Sequence, residues 1–424
     1  MIDKNNKTKI LIIIIVTITT ILAGIIVVNE IFNKDESQDI IKPTPSPENI
    51  ILTNNYTIDI IREFNNGNTS NYLISPYNIE IGLNMLRDGA DGMTKEELDK
   101  VLGNRVINNI SVKDKIGVAN GVFIKDIYKD NVKKDYYDIL NTKYNSEIIY
   151  DPFTSPVKIN NWVKEKTNGM IDKILDRMDN NFVMGLASAL AIDVKWQNEF
   201  ECNETISNEF TKLDNSKINV EMMHKTYNYN AKYIKNDEVE GIVIPYKKED
   251  NSNVELEFVG ILPNNSVNEY IKNLTIDKLN NIFKNERSAG EDFNIKLSLP
   301  RFKYDYEPSD FIGILNNLGI KEAFNPDLAN FKKMVEIPNY NVYVGEAIHK
   351  THIELNEKGT KAAAITYFGM YKNSAMMPIE IETVDVNFNK PFIYMIREKN
   401  TNEILFFGTV YEPNTWNGTT CDNK

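Results

Sequence analysis

Two cysteines, Cys202 and Cys421, and three histidines, His224, His349 and His352, are all that 424 residues supply. Disulfides therefore cannot be the main staple. At most one bridge can form, and Cys421 stands in a polar tail. Three histidines leave little room for metal binding or histidine-based catalysis. His349 and His352 have HxxH spacing, but on a strand three residues apart means opposite faces, so a shared metal is not expected. The chain has no GxSxG, no HExxH, no phosphate-binding Gly-rich loop and no CxxC. Acidic pairs such as Glu96/Glu97 read as solvated helix face. Neither an enzyme nor a cofactor is expected. A net charge of −12 argues against a nucleic-acid partner.

Apolar residues make up 42% of the chain, enough for a large core. Length alone suggests two to three domains, although large single domains occur. Residues 1–9 carry Lys4, Lys7 and Lys9, and residues 10–28 have no charge. That run makes about 28 Å of helix, close to a bilayer's hydrocarbon thickness. Lysines before it and acids after it orient residues 1–9 to the cytoplasm. A cleaved signal peptide is the competing reading, but the apolar run exceeds a usual signal core. A lipoprotein site would need cysteine where Ile25 stands. The expectation is a single-pass anchor in the cell membrane, with the rest extracellular or, if the anchor is cleaved, secreted. Residues 29–48, with Pro43-Thr-Pro-Ser-Pro47, form a semi-rigid spacer. A globular part over 49–413 and a loose tail over 414–424 complete the organisation.

Within the globular part, residues 51–65 read as a helix with one apolar face. Thr94-Lys-Glu-Glu97 reads as a capping box, followed by the stripe Leu98, Val101, Leu102 and a stop at Gly103. Residues 159–167 form another helix, buried through Ile159, Trp162 and Val163. Phe293, Ile295, Leu297 and Leu299 alternate with polar residues, as a strand does. Residues 392–397 and 404–411 flank a polar turn, as in a hairpin. Helices dominate the first half and strands the second, which indicates an α+β fold.

The candidate functional stretch is 357–377, EKGTKAAAITYFGMYKNSAMM. Gly359 is a pivot, because glycine reaches most of φ/ψ space at little cost. Thr360 to Ala364 carry almost no bulk. Residues 367–377 mix aromatic, polar and flexible side chains without a Gly-Pro turn. The stretch hangs between strand-like runs at 343–355 and 379–388, and long segments so placed are usually functional or disordered. From composition alone, Thr360 followed by Lys361 and three alanines reads as an N-capped helix start, and the context around it argues for the other reading.

The residues around this stretch resemble the serpin family, in order, from about residue 50 to Pro413. The blocks are Asn71-Tyr-Leu-Ile-Ser-Pro-Tyr-Asn-Ile79, Val118-Ala-Asn-Gly-Val-Phe123, Ile159 to Gly169, Lys195-Trp-Gln-Asn-Glu-Phe200, Met222-Met223, Ile244-Pro-Tyr246, Leu299-Pro-Arg-Phe302, Asn387 to Phe392 and Leu405-Phe-Phe-Gly408. His349-Lys350 leading to Glu354, Glu357, Gly359 and Thr360 resembles the family hinge. Each block is weak alone, and their joint order is specific.

The resemblance implies one domain with three β-sheets, about eight or nine helices and an exposed reactive-centre loop. It implies a suicide-substrate inhibitor, expected to be a monomer. A serine or cysteine endopeptidase cuts the loop, is trapped as an acyl-enzyme, and the cut arm inserts into the main sheet. Serpin loop insertion is a recognised example of a segment that switches between two packed states. The family's spacing from Glu357 places the reactive bond between Asn373 and Ser374, to within a residue or two. Lys372 would suit a trypsin-like target and Tyr371 a chymotrypsin-like one. The hinge comprises Glu357, Gly359, Thr360, Ala362, Ala363 and Ala364, near the inhibitory pattern. Residues 359–372 would span about 46 Å as a strand. Conformational control falls by resemblance to Trp196, Arg301, His349 and Ser75, with Asn78 and Ser188 standing where the family has a serine and an asparagine. The alternative within the family is a non-inhibitory binding or structural protein.

Overall fold

The computed structural model describes residues 55–105, 107, 110, 115–178, 182–250, 252–290, 292–360 and 381–414. Three sheets carry the architecture. The first contains β1 (Tyr72–Ile74), β8 (Lys232–Lys235), β9 (Val239–Pro245), β10 (Leu256–Pro263), β11 (Glu286–Ser288), β17 (Phe392–Glu398) and β18 (Ile404–Val410). The second has four strands, β6 (Thr205–Thr211), β7 (Lys217–Tyr227), β12 (Phe293–Pro300) and β16 (Glu382–Asn387). The third, the main sheet, holds β2 (Ile116–Lys125), β3 (Glu147–Asp151), β4 (Met184–Ile192), β5 (Val194–Lys195), β13 (Phe302–Tyr306), β14 (Glu346–Asn356) and β15 (Gly359–Thr360).

Eight α-helices lie among the described residues: α1 (Tyr56–Asn65), α2 (Pro76–Gly89), α3 (Gly92–Leu102), α4 (Lys134–Tyr144), α5 (Val157–Lys166), α6 (Val267–Lys272), α7 (Ile276–Lys284) and α8 (Phe311–Leu318). The α+β class and the three sheets agree with expectation. The division into a helical first half and a stranded second half does not, because five main-sheet and first-sheet strands precede residue 196. Those early strands read as mixed segments in the sequence because both faces are covered, which erases their alternation.

The main sheet has one feature that positions the site. β4 and β14 run parallel and pair over six rows, from Glu346↔Gly185 to Thr351↔Leu190. Beyond that the pairing stops, and β15 lies between β14 and β5, antiparallel to both. Behind the sheet α2 crosses the core. Twelve of its fourteen residues are buried, so it has no solvent face and is held on every side. Pro76 stands in its first turn and Ser75 caps it, accepting a hydrogen bond from the Asn78 amide at 3.1 Å. On the opposite face of the sheet, α5 covers a second apolar cluster through Ile159 and Val163.

The capping box at Thr94 is corrected. The helix starts at Gly92, with Asp91 at the N-cap position. Thr94 is buried, and its hydroxyl accepts from the Asn330 amide at 3.0 Å. Glu97, taken as solvated, accepts the amides of Lys321 and Glu322 at 2.7 and 2.8 Å. The partners are more than 200 residues away, and a local motif cannot reveal them. Gly103 does end the helix, at φ 65°.

The expected localisation, a single pass through the cell membrane with an extracellular domain, is also corrected. Among the described residues no helix is long and apolar enough to cross a membrane. The longest, α2, has 14 residues, about 21 Å against the ~30 Å of a hydrocarbon core. Residues 10–28, on which the expectation stood, lie outside the described residues.

Candidate functional site

The chain leaves β14 at Asn356, reverses through Glu357 and Lys358, and returns as β15. The reversal is held by backbone and side-chain hydrogen bonds from three directions. The Trp196 indole Nε1 donates to the Asn356 carbonyl at 2.8 Å, and its backbone amide donates to the Lys358 carbonyl at 2.9 Å. The Phe200 amide donates to the Glu357 carbonyl at 2.9 Å. The Trp196 ring stacks on Tyr246 at 4.6 Å and 7° and meets Phe200 and Phe258 edge-on.

Glu357 is 1% exposed. Its carboxylate accepts from Arg301 Nε at 2.5 Å, contacts Arg301 Nη2, and accepts from the Thr205 hydroxyl at 2.6 Å. The Arg301 side chain is only 8% exposed. The Glu357–Arg301 ion pair is therefore buried. Its strength depends on the hydrogen bonds that satisfy both charges, and loss of one partner strands the other.

Gly359 has φ +151°, and a Cβ there would stand 2.1 Å from the Val194 carbonyl oxygen. Only glycine fits this close approach of two strands. Thr360, 3% exposed, follows with its hydroxyl 2.7 Å from that of Tyr246. Burial pushes the Tyr246 hydroxyl well above its ordinary range, so it stays protonated. Ala362, Ala363, Ala364, Asn373 and Ser374 lie outside the described residues.

A second cluster lies lower in the sheet. His349, fully buried on β14, accepts the Ser75 amide on Nε2 at 3.1 Å. Its ring packs against Phe64 and Phe311. Asn78 Oδ1 accepts from Asn120 Nδ2 at 2.7 Å. In register, His349, Ser188 and Asn120 form one row across β14, β4 and β2. The cluster thus reaches β2 through Asn120, which sequence reasoning does not single out. Nor does it single out Thr205, Phe200 or Tyr246. Asn120, Phe200 and Tyr246 each occur within a family block quoted above, which is the available signal, and Thr205 does not. His352 points to the other face, with Nδ1 2.7 Å from Asp305. That bond holds the Asp305 carboxyl below the usual carboxylate range. Among the described residues no group of three or more His, Cys, Asp or Glu side chains could hold a metal ion. Cys202 is disulfide-bonded, and Cys421 lies outside the described residues.

A main sheet with a parallel seam, and a loop hinge already turned into it, define a serpin-type fold. A family model for Serpin (serine protease inhibitor) matches residues 52–413, and the chain belongs to the serpin family. It is 28% identical over 401 residues to a serpin-like protein of Thermococcus kodakarensis, covering 88% of each chain. It is 26% identical to neuroserpin of Homo sapiens over 379 residues, 83% of this chain and 88% of that one. Among solved structures, the thermophilic serpin tengpin in its native state matches with TM-score 0.72 and 35% identity, over 84% of this chain and 93% of tengpin. Members of the family are generally protease inhibitors rather than catalysts.

Proposed function

We propose that this chain is a suicide-substrate inhibitor of a serine or cysteine endopeptidase. The protease nucleophile attacks the carbonyl carbon at the reactive bond, placed by family spacing at Asn373–Ser374. The C–N bond breaks, the new amine leaves, and an acyl-enzyme forms. The arm beginning at Gly359 then enters the seam between β4 and β14 and carries the attached enzyme with it.

One observation carries this reading: Gly359 and Thr360 already form a strand antiparallel to both neighbours, directly above a parallel pair. An arm continuing in that direction exchanges six parallel rows for two antiparallel ladders, and parallel pairing is the weaker per residue. At ~1 kcal/mol net per added hydrogen bond, the twelve residues of 359–372 still to be paired release on the order of 10 kcal/mol. That makes uptake effectively irreversible. The hinge side chains that must pass into the sheet are small and uncharged apart from Lys361, which alternation places on the face opposite Thr360.

The test is to mix the chain with a panel of serine and cysteine proteases and run denaturing gels. A covalent band at the summed mass, with mass spectrometry of the released C-terminal peptide, supports inhibition and fixes the bond. Cleavage with free turnover by every protease would replace this reading with the non-inhibitory one.

A further inference from the structure

Of the polar groups that hold α2, those at Ser75 and Asn78 belong to the cluster around His349. Another set lies about one and a half turns beyond Ser75, at Glu80. There Arg105, in the segment after α3, reaches under the helix. Its Nε donates to Glu80 Oε1 at 3.1 Å, and its Nη2 lies 2.9 Å from Glu80 Oε2. The same Nη2 donates to Glu403 Oε2 at 2.5 Å. Glu403 sits in the turn between β17 and β18. The side chains of Glu80, Glu403 and Arg105 are 1%, 5% and 12% exposed.

Two carboxylates on one guanidinium leave an uncompensated negative charge when both are ionised. Carboxylates sharing a dry site do not both ionise at the usual pH. Burial pushes the Glu80 carboxyl up to about 7, opposed by Arg105 and reinforced by Glu403. Burial raises Glu403 as well. The other groups facing the cluster are Tyr56 from α1, Tyr77 and Arg87 from α2, and Glu398 from β17. Burial keeps both tyrosines protonated well past neutrality. His349 stands at the N-terminal end of α2, beyond Ser75.

We propose that Glu80, Arg105 and Glu403 form a proton-loaded clasp that seats α2 on the β17–β18 hairpin, and that release of its proton loosens α2 together with the cluster at its N-terminus. α2 packs directly on β18, β2 and β4, so its seating bears on the seam that the loop must open. That last link rests on the function proposed above. The sign follows from linkage. A carboxyl raised above its unfolded value stabilises the fold fully below the unfolded value. The contribution is lost as pH rises through about 7.

The test compares the wild-type chain with Glu80→Gln, whose neutral amide stands in for the protonated carboxyl. Thermal unfolding is followed from about pH 4 to about pH 8, across the window between the ordinary carboxylate value and the raised one of about 7. Wild-type Tm should fall relative to Glu80→Gln as pH rises, and the variant should be the more stable above neutrality. Parallel profiles overturn the clasp. His349 is present in both proteins, so the comparison reads the change at position 80. If Glu80→Gln does not fold, Glu403→Gln gives the same comparison. Spontaneous conversion to the heat-stable inserted form, followed in the same buffers, should accelerate several-fold with pH in the wild type only. A shifting Tm with an unchanged conversion rate overturns the link to the seam. Failure to trap any protease bears on the proposed function and leaves the melting comparison standing.

Discussion

The hydroxyls of Thr360 and Tyr246 stand 2.7 Å apart in a site closed to solvent, and the Tyr246 ring lies flat on Trp196. The first loop residue after Gly359 is thus already seated in the core. Trp196 holds the reversal from one side with its indole N–H and positions Tyr246 with its face. The reversal is therefore gripped at Asn356 and Thr360 by two stacked rings and at Lys358 by the Trp196 backbone amide.

On the proposed function, Thr360→Arg should shift the outcome of a protease encounter from trapping to simple cleavage. The site is buried beside the Tyr246 and Trp196 rings, so the new charge stays in water and holds the hinge out. The ratio of cleaved to trapped protein, read from denaturing gels, should rise at least tenfold. A ratio equal to the wild type would show that Thr360 does not need to remain buried.

Glu357→Gln should destabilise the intact chain by ~3 kcal/mol, because Arg301 is left charged and buried without a carboxylate. Replacing both residues by methionine should recover most of the loss. Urea unfolding of the three proteins measures this. A single-variant loss under ~1 kcal/mol would mean that water relieves Arg301.

Gly359→Ala should cost the intact fold about 2 kcal/mol or more, since the added carbon meets the Val194 carbonyl and the positive φ is strained for any other residue. The β14–β15 reversal would have to shift, and Trp196, bonded on both sides of Glu357, should report it by fluorescence. An unchanged emission and Tm would contradict the close approach.

His349→Ala should leave the Ser75 amide without its acceptor at the cap of α2, a loss of about 1–3 kcal/mol for a buried donor. Spontaneous conversion of the intact chain should accelerate, and protease trapping should become less efficient. Unchanged insertion kinetics would remove His349 from the control of the seam.

Gly359 was legible because its constraint is local: glycine is needed where two strands approach as closely as here. The partners were not legible in the same way. Arg301 and Glu357 are 56 positions apart, and nothing local says that both are buried. Asn120 joins the His349 row only through strand register. Thr94 was misread for the complementary reason: Ser/Thr-x-x-Glu is a surface motif, and here its hydroxyl is drawn inward by Asn330. Glu80 looks from the sequence like an ordinary helix acid, and its site becomes visible only when Arg105 and Glu403 arrive from distant segments.

β15 has a kinetic consequence. A free loop that must start a new strand first loses closure entropy before any ladder bond rewards it. Here that step is complete, because Gly359 and Thr360 are paired on both sides. On the proposed function, what remains is propagation, and the first row to give way is Thr351↔Leu190, with His349↔Ser188 two rows below. The pace of uptake would then be written in the six rows of β4 and β14 and not in the arm that enters them.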